Sequence, residues 1–351
     1  MKADTHGLLN DAQLLEVRHA HLERLSAVFA GETLRRAFVL HGIPQLTQEA
    51  PLDWETWLDE ALDALAREAE RAHDPMVFRP LVVSWDPRGV HFIDHLFRAE
   101  TFQLENGGWQ ARCLDTPIGE LRRPDPAGNE TWRQVRAFTR AFLQRQVAGV
   151  FLGMPTLSSA LNIAVNLYGQ RILEAMALEP EAARHDMRVI NDCICELHRW
   201  YLDIVPDDQR QCVAAPGRCQ PPGFGQLCGC TCQLLSPALY DEFILPLDDE
   251  VLSLHPHGGM IHLCGVHTQH IPAWRAMGSL RAVQMNDRAA DDLELYFNGL
   301  REDQVLYVNA YRDMPVRRAL EITGGERTVI VADLDAPPPR VPDSPPGEVT
   351  P

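Results

Sequence analysis

Four short apolar runs near the C-terminal end decide the fold: MIHLC (260–264), RAVQM (281–285), VLYV (305–308) and TVIV (328–331). Each is a candidate strand, and their starts lie 21, 24 and 23 residues apart. The segments between them read as helices. The first stops near Gly278 and the last near Gly324-Gly325, as helices ending on glycine do. Strand and helix alternating at this spacing form a run of βα units, which builds a parallel sheet. Four such units with short connections fit an α/β fold of the (β/α)8 TIM-barrel type better than an open sheet.

Upstream, Met187, Ile190, Ile194, Leu197 and Tyr201 recur every three or four residues, the spacing of one buried helix face. Val147–Leu152 is a short apolar run, and a helix begins near Ser158. Nearer the N-terminus, Leu15, Leu22, Leu25 and Phe29 share a helical face. Trp54, Leu58, Ala61, Leu62 and Leu65 share another, with Asp53 placed as its N-cap. Arg79–Trp85 reads as a strand, and Asn106-Gly107-Gly108 as the turn of a hairpin within 101–120. This gives an N-terminal helical extension over 1–78, the barrel over 79–335 and a tail over 336–351. Seven of the 16 tail residues are proline, a composition that builds no core and predicts disorder.

The 351 residues carry 32 basic and 49 acidic side chains, a formal net charge of −17. Nucleic acid and anionic membrane surfaces are therefore disfavoured as partners, because long-range steering would be repulsive. There is no apolar run of spanning length and no secretory signal pattern, so the expectation is a cytoplasmic protein with reduced thiols. A homodimer is compatible with the sequence. Of nine cysteines, five fall between Cys212 and Cys232, one is Cys264, and none follows it.

The chemistry concentrates at His262-Leu263-Cys264. Residues i and i+2 of a strand point to one face, so imidazole and thiol emerge together at the strand's C-terminal end, where barrel active sites are built. Both are good zinc ligands; a buried cysteine beside a capped histidine is the plainer alternative. Cys228, Cys230 and Cys232 would line one edge of an extended loop and could deliver a further thiolate, or could simply pack a tight turn. Cys193 and Cys195 lie about 200° apart on a helix and are assigned to packing. His185 and His198 read as surface or partly buried histidines. His267 and His270 read as polar residues at a helix start, in preference to groups supporting the site. Carboxylates offer a rival, metal-free site. Asp287 follows the second of the four strands, Asn309 and Tyr311 the third and Asp333 the last, while Asp86 and Arg88 sit in a turn after Arg79–Trp85. Here Asp287 and Asp86 are the catalytic candidates, and Arg88, Asn309 and Tyr311 the substrate-binding ones.

The stretch from Leu234 to Asp287, the segment Gly153–Pro180 with its Glu179-Pro180-Glu181 turn, and HLERLSAVFAGE (21–32) resemble the uroporphyrinogen decarboxylase superfamily. The resemblance spans most of residues 20–335 and implies a (β/α)8 barrel. The arginine-rich N-terminal signature of the true decarboxylases is missing. The other branch resembles corrinoid-dependent methyltransferases, which bind zinc through a His-x-Cys pair and a distant cysteine near the last strand. His262 and Cys264 match the pair. No cysteine follows Cys264, so the third ligand falls to Cys230, Cys232 or Asp333. Cys230 is favoured, because Gly229 before it lets the backbone approach closely. The resemblance implies a zinc-dependent methyltransferase acting between a corrinoid carried on a partner protein and a small thiol substrate. A metal-free decarboxylase or a non-catalytic ligand-binding member are the alternatives.

Overall fold

Among the described residues, twelve strands frame the fold: β1 Phe38–His41, β2 Val77–Phe78, β3 Leu81–Val83, β4 Thr101–Gln103, β5 Trp109–Ala111, β6 Val150–Gly153, β7 Arg210–Gln211, β8 Gly225–Cys228, β9 Gly259–Cys264, β10 Leu280–Asn286, β11 Val305–Asn309 and β12 Thr328–Ala332. The structure is a computed structural model describing residues 4–32, 34, 36–41, 54–105, 107–211 and 216–332. Asp53, Asn106, Cys212, Asp333 and the proline-rich tail lie outside the described residues.

The four strands read from the sequence are β9 to β12. They lie side by side and parallel within a seven-stranded sheet of order β2-β1-β12-β11-β10-β9-β8. A second parallel sheet has the order β3-β6-β7. Only Arg79 and Pro80 separate β2 from β3, so the two sheets run on into each other along the chain. On the far side, a single parallel bridge joins Ser158 to Cys228. This is a mixed α/β fold whose strand order is compatible with a TIM-like barrel. The short hairpin expected around Gly107 forms from β4 and β5.

The central strands are buried on both faces. Val305 to Val308 are each at most 1 % exposed, which is why they read as unbroken apolar runs rather than alternating ones. Burying each such side chain contributes about 1.5–3 kcal/mol. The long helix Pro180–Ile204 packs Met187, Ile190, Ile194, Leu197 and Tyr201 inward, as its spacing predicts. Cys193 and Cys195 are buried packing residues there. The helix Trp54–Glu68 buries Trp57, Leu58, Ala61, Leu62 and Leu65, and Trp54 packs at the margin. In the helix Ala12–Phe29 the buried residue near the start is Leu14, while Leu15 is half-buried. The region expected as a helical extension also supplies β1 and β2 to the main sheet, with Phe38 beside Val329 and Val39 beside Val77.

Candidate metal centre

Strand register builds the site. Cys228, at the end of β8, is the register partner of His262 on β9, and His262 is the partner of Gln284 on β10. Two residues further along, Cys264 lies beside Asn286. Parallel partners face the same side, and alternation brings the i+2 residues to it as well. The row lies at the C-terminal ends of the strands. Beyond Cys228 the chain turns sharply into a 3-10 turn, Cys230–Leu234. The Gly229 N–H donates to the His262 carbonyl at 3.0 Å, and a Cβ on Gly229 would lie 3.0 Å from Ile261 Cγ2. The missing side chain lets the loop press against β9 and brings Cys230 over its end.

Four soft or borderline donors meet there. The Cys228 and Cys230 sulfurs are 3.4 Å apart, and Cys264 Sγ is 3.2 Å from His262 Nε2. The ligand atoms of Cys228, Cys230 and His262 all lie within 4.8 Å of one another. Hydrogen bonding with Cys230 pulls the Cys264 and Cys228 thiols well below the usual thiol range. Cys230 itself is pushed up for the same reason. The positive charge facing these sulfurs is Arg218, whose Nη2 is 3.1 Å from His262 Nε2. Burial lowers the Arg218 pKa, and attraction to Cys228, Cys230 and Cys264 opposes that.

A shell of amides surrounds the donors. His262 Nδ1 is hydrogen-bonded to Gln284 Oε1. Gln284 Nε2 donates to Asn309 Oδ1 at 2.7 Å, and Asn309 Nδ2 donates to Asn286 Oδ1 at 2.9 Å. Asn286 Nδ2 reaches Cys264 Sγ at 3.6 Å. On the opposite side, Asn162 Nδ2 reaches Cys228 Sγ at 3.6 Å, while its Oδ1 accepts the Thr231 N–H at 3.0 Å. An imidazole nitrogen, three thiols and amide partners holding them fit a zinc ion, for which thiolate and imidazole are ordinary ligands.

Several expectations change. The cysteine loop is not extended, so its three thiols do not share an edge. The 3-10 turn sends Cys232 away, and its sulfur bonds His267 Nδ1 at 3.3 Å. His267 and His270 are not merely polar residues at a helix start. Both are fully buried, with His267 Nε2 on the Cys264 carbonyl and His270 Nε2 on the Cys232 carbonyl, each at 2.8 Å. They brace the turn. His198 is fully buried as well, paired with His255 at 3.1 Å, because its helix face is covered by the segment before β9.

The residues of the metal-free alternative are spread out. Asp287 Oδ1 accepts the Gly265 N–H at 3.0 Å and so pins the turn after Cys264. Asp86 is buried. Its Oδ2 accepts the Thr156 hydroxyl at 2.7 Å, and burial raises its carboxyl to about 7. Arg88 donates to Thr101 Oγ1 at 2.6 Å and lies over the Trp109 ring. Asn309 joins the amide shell, and the Tyr311 hydroxyl donates to Asp291 at the surface. No hydrogen bond or ion pair links Asp86, Arg88 or Tyr311 to the cysteines among the described residues. Sequence reasoning did not single out Cys228 as a ligand, nor Arg218, Gln284, Asn286 or Asn162. The regular pairing of β8 with β9 was the signal, but Gly-Gln-Leu-Cys is too short and too polar to read as a strand.

No family model and no curated protein matches the chain. Among solved structures, a methyltransferase from Methanosarcina mazei aligns over 92 % of this chain and 95 % of its own, with a TM-score of 0.62 and 12 % identity. The two share a fold. A phospho-2-dehydro-3-deoxyheptonate aldolase from Francisella tularensis covers 96 % of this chain and 88 % of its own at TM-score 0.39 and 8 % identity, too different in shape to bear on the fold. No helix among the described residues is long and apolar enough to cross a membrane.

Proposed function

We propose that the chain is a closed (β/α)8 barrel of the uroporphyrinogen decarboxylase type and a zinc-dependent methyltransferase, moving a methyl group between a corrinoid protein and a small thiol. The observation that carries this reading is the convergence of Cys228, Cys230, His262 and Cys264 at the C-terminal ends of β8 and β9. The fold shared with a methyltransferase supports it.

His262, Cys264 and Cys230 are the ligands, with Cys228 a fourth donor in reach. A bound zinc ion would keep an acceptor thiol deprotonated at neutral pH. The chemistry would be attack of the acceptor thiolate on the methyl carbon of the donor, with the bonding pair leaving on the corrinoid and the thiol proton passing to solvent. The corrinoid is carried by a partner docked over the strand ends.

The test uses zinc-loaded protein with methylcobalamin as donor and 2-mercaptoethanol as acceptor. Formation of the methyl thioether, lost in Cys264→Ala and His262→Ala, supports the reading. Thioether formed equally by those variants removes it. A second reading is favoured by one observation: Asp86 holds a buried carboxyl raised to about 7, and its Oδ1 has no hydrogen-bond partner among the described residues. That suits a proton donor in a metal-free lyase with Asp287. Activity that survives removal of metal but not Asp86→Asn would select it.

A further inference from the structure

The three amides around the site have a direction, and Arg218 sets it. A guanidinium has five donors and no acceptor. At 3.1 Å from Arg218 Nη2, His262 Nε2 must therefore accept. A neutral imidazole with an accepting Nε2 carries its proton on Nδ1, which faces Gln284 Oε1. The Gln284 amide then has only its Nε2 donor left for Asn309, at 2.7 Å. Asn309 has only its Nδ2 donor left for Asn286, at 2.9 Å. Asn286 in turn presents Nδ2 to Cys264 Sγ, at 3.6 Å. The four bonds run one way, from one ligand of the site to the other, through three adjacent strands.

We infer that Gln284, Asn309 and Asn286 form a polarised relay that couples the tautomer of His262 to the hydrogen-bond donor that Cys264 Sγ receives. In this polarity His262 Nε2 accepts from Arg218 Nη2 and from the Cys264 thiol 3.2 Å away, and Cys264 Sγ in turn accepts from Asn286 Nδ2. Reversing every amide would give the opposite state at both ends, an Nε2–H and an acceptor facing the sulfur. The ligands therefore cannot be prepared independently. Asn309, which touches neither ligand, is a positioning residue whose loss is felt at Cys264. This inference rests on the proposed metal site; its test separates the two.

The test uses two near-isosteric variants of the full chain, Gln284→Glu and Asn309→Asp. Each removes one donor from the middle of the relay and keeps an acceptor for the preceding group. In both, Asn286 must turn its Nδ2 toward position 309 and its oxygen toward Cys264. In zinc-free protein, nitrogen NMR of His262 should show the proton still on Nδ1. The contact from the Asn286 side-chain amide protons to the Cys264 β-protons should vanish. Zinc affinity, measured by competition with a chromophoric chelator, should fall about 10–100-fold. The added negative charge alone would raise cation affinity, so a fall is diagnostic. Thermal melting shows whether each variant is folded, and either one alone suffices for the test. An unchanged Asn286–Cys264 contact, or zinc affinity equal to that of the wild type, overturns the relay. A wild type that binds no zinc overturns the metal reading instead, and the contact in zinc-free protein still decides the relay.

Discussion

Cys228 and His262 are register partners on adjacent parallel strands. That single pairing makes a cysteine loop and a His-x-Cys strand into one site. The loop could have hung anywhere above the sheet. Instead β8 ends at the level of His262, and the next turn folds Cys230 back over it.

The close approach of these strands gives the first prediction. Gly225 and Gly259 face each other at the start of the pairing, and a Cβ on Gly259 would lie 2.3 Å from the Gly225 carbonyl oxygen. Gly259→Ala should cost about 2 kcal/mol or more in urea denaturation, since backbone rather than a flexible side chain must give way. Gly278→Ala, with nothing within 4 Å of the added Cβ, should stay within about 0.5 kcal/mol of wild type. Equal effects would contradict the described strand pairing.

Thiol reactivity gives the second. Hydrogen bonding with Cys230 holds the Cys264 and Cys228 thiols well below the usual thiol range. Burial pushes Cys193 and Cys219 up to about 12. In zinc-free protein at mildly acid pH, iodoacetamide should label Cys228 and Cys264 while Cys193 and Cys219 stay unmodified, read by peptide mass spectrometry. Added zinc should protect the labelled pair. Uniform labelling would show that the cluster does not stabilise thiolates.

Cys232 supplies the third. Its sulfur bonds His267 rather than the other thiols, so Cys232→Ala should retain metal. It should lose about 1–3 kcal/mol of stability through the unpaired His267 nitrogen and the small cavity. Loss of metal without loss of stability would make Cys232 a ligand.

A fourth prediction concerns pH. Burial raises the Asp248 carboxyl from 3.8 to about 7, where it accepts the Tyr240 hydroxyl. Between those values the folded protein holds a proton that the unfolded chain has released. The contribution of this group is complete below the lower value and is lost as pH rises through the upper one. Asp248→Asn does not titrate. It should gain on wild type by about 1.4 kcal/mol per pH unit from roughly pH 4.5 to 6.5. Parallel stability curves would show Asp248 ionised in the folded state.

The legible parts of the sequence were those where one physical signal dominated. β9 to β12 are buried on both faces, so their apolar runs stand out at regular spacing. His262 and Cys264 are two apart on one of them and share a face by geometry alone. β1, β2, β7 and β8 have four residues or fewer, and their pairing comes from neighbours distant in sequence. Cys228 was obscured for that reason. Gln284 lies inside a strand that was read correctly, yet its role depends on His262, 22 residues away. His198 read as a surface or partly buried histidine, and His267 and His270 as polar residues at a helix start. Each is buried because a specific partner satisfies it, which no local pattern records. The 3-10 turn at Cys230 likewise depends on contact with β9.

The central claim is that Cys228, Cys230, His262 and Cys264 hold a metal ion. Elemental analysis of protein purified without chelator tests it most directly. About one zinc per chain is expected, with His262→Ala and Cys264→Ala each falling well below that while remaining folded, since losing one ligand costs several kcal/mol of binding. Full zinc content in both variants, or none in the wild type after incubation with zinc, would contradict it.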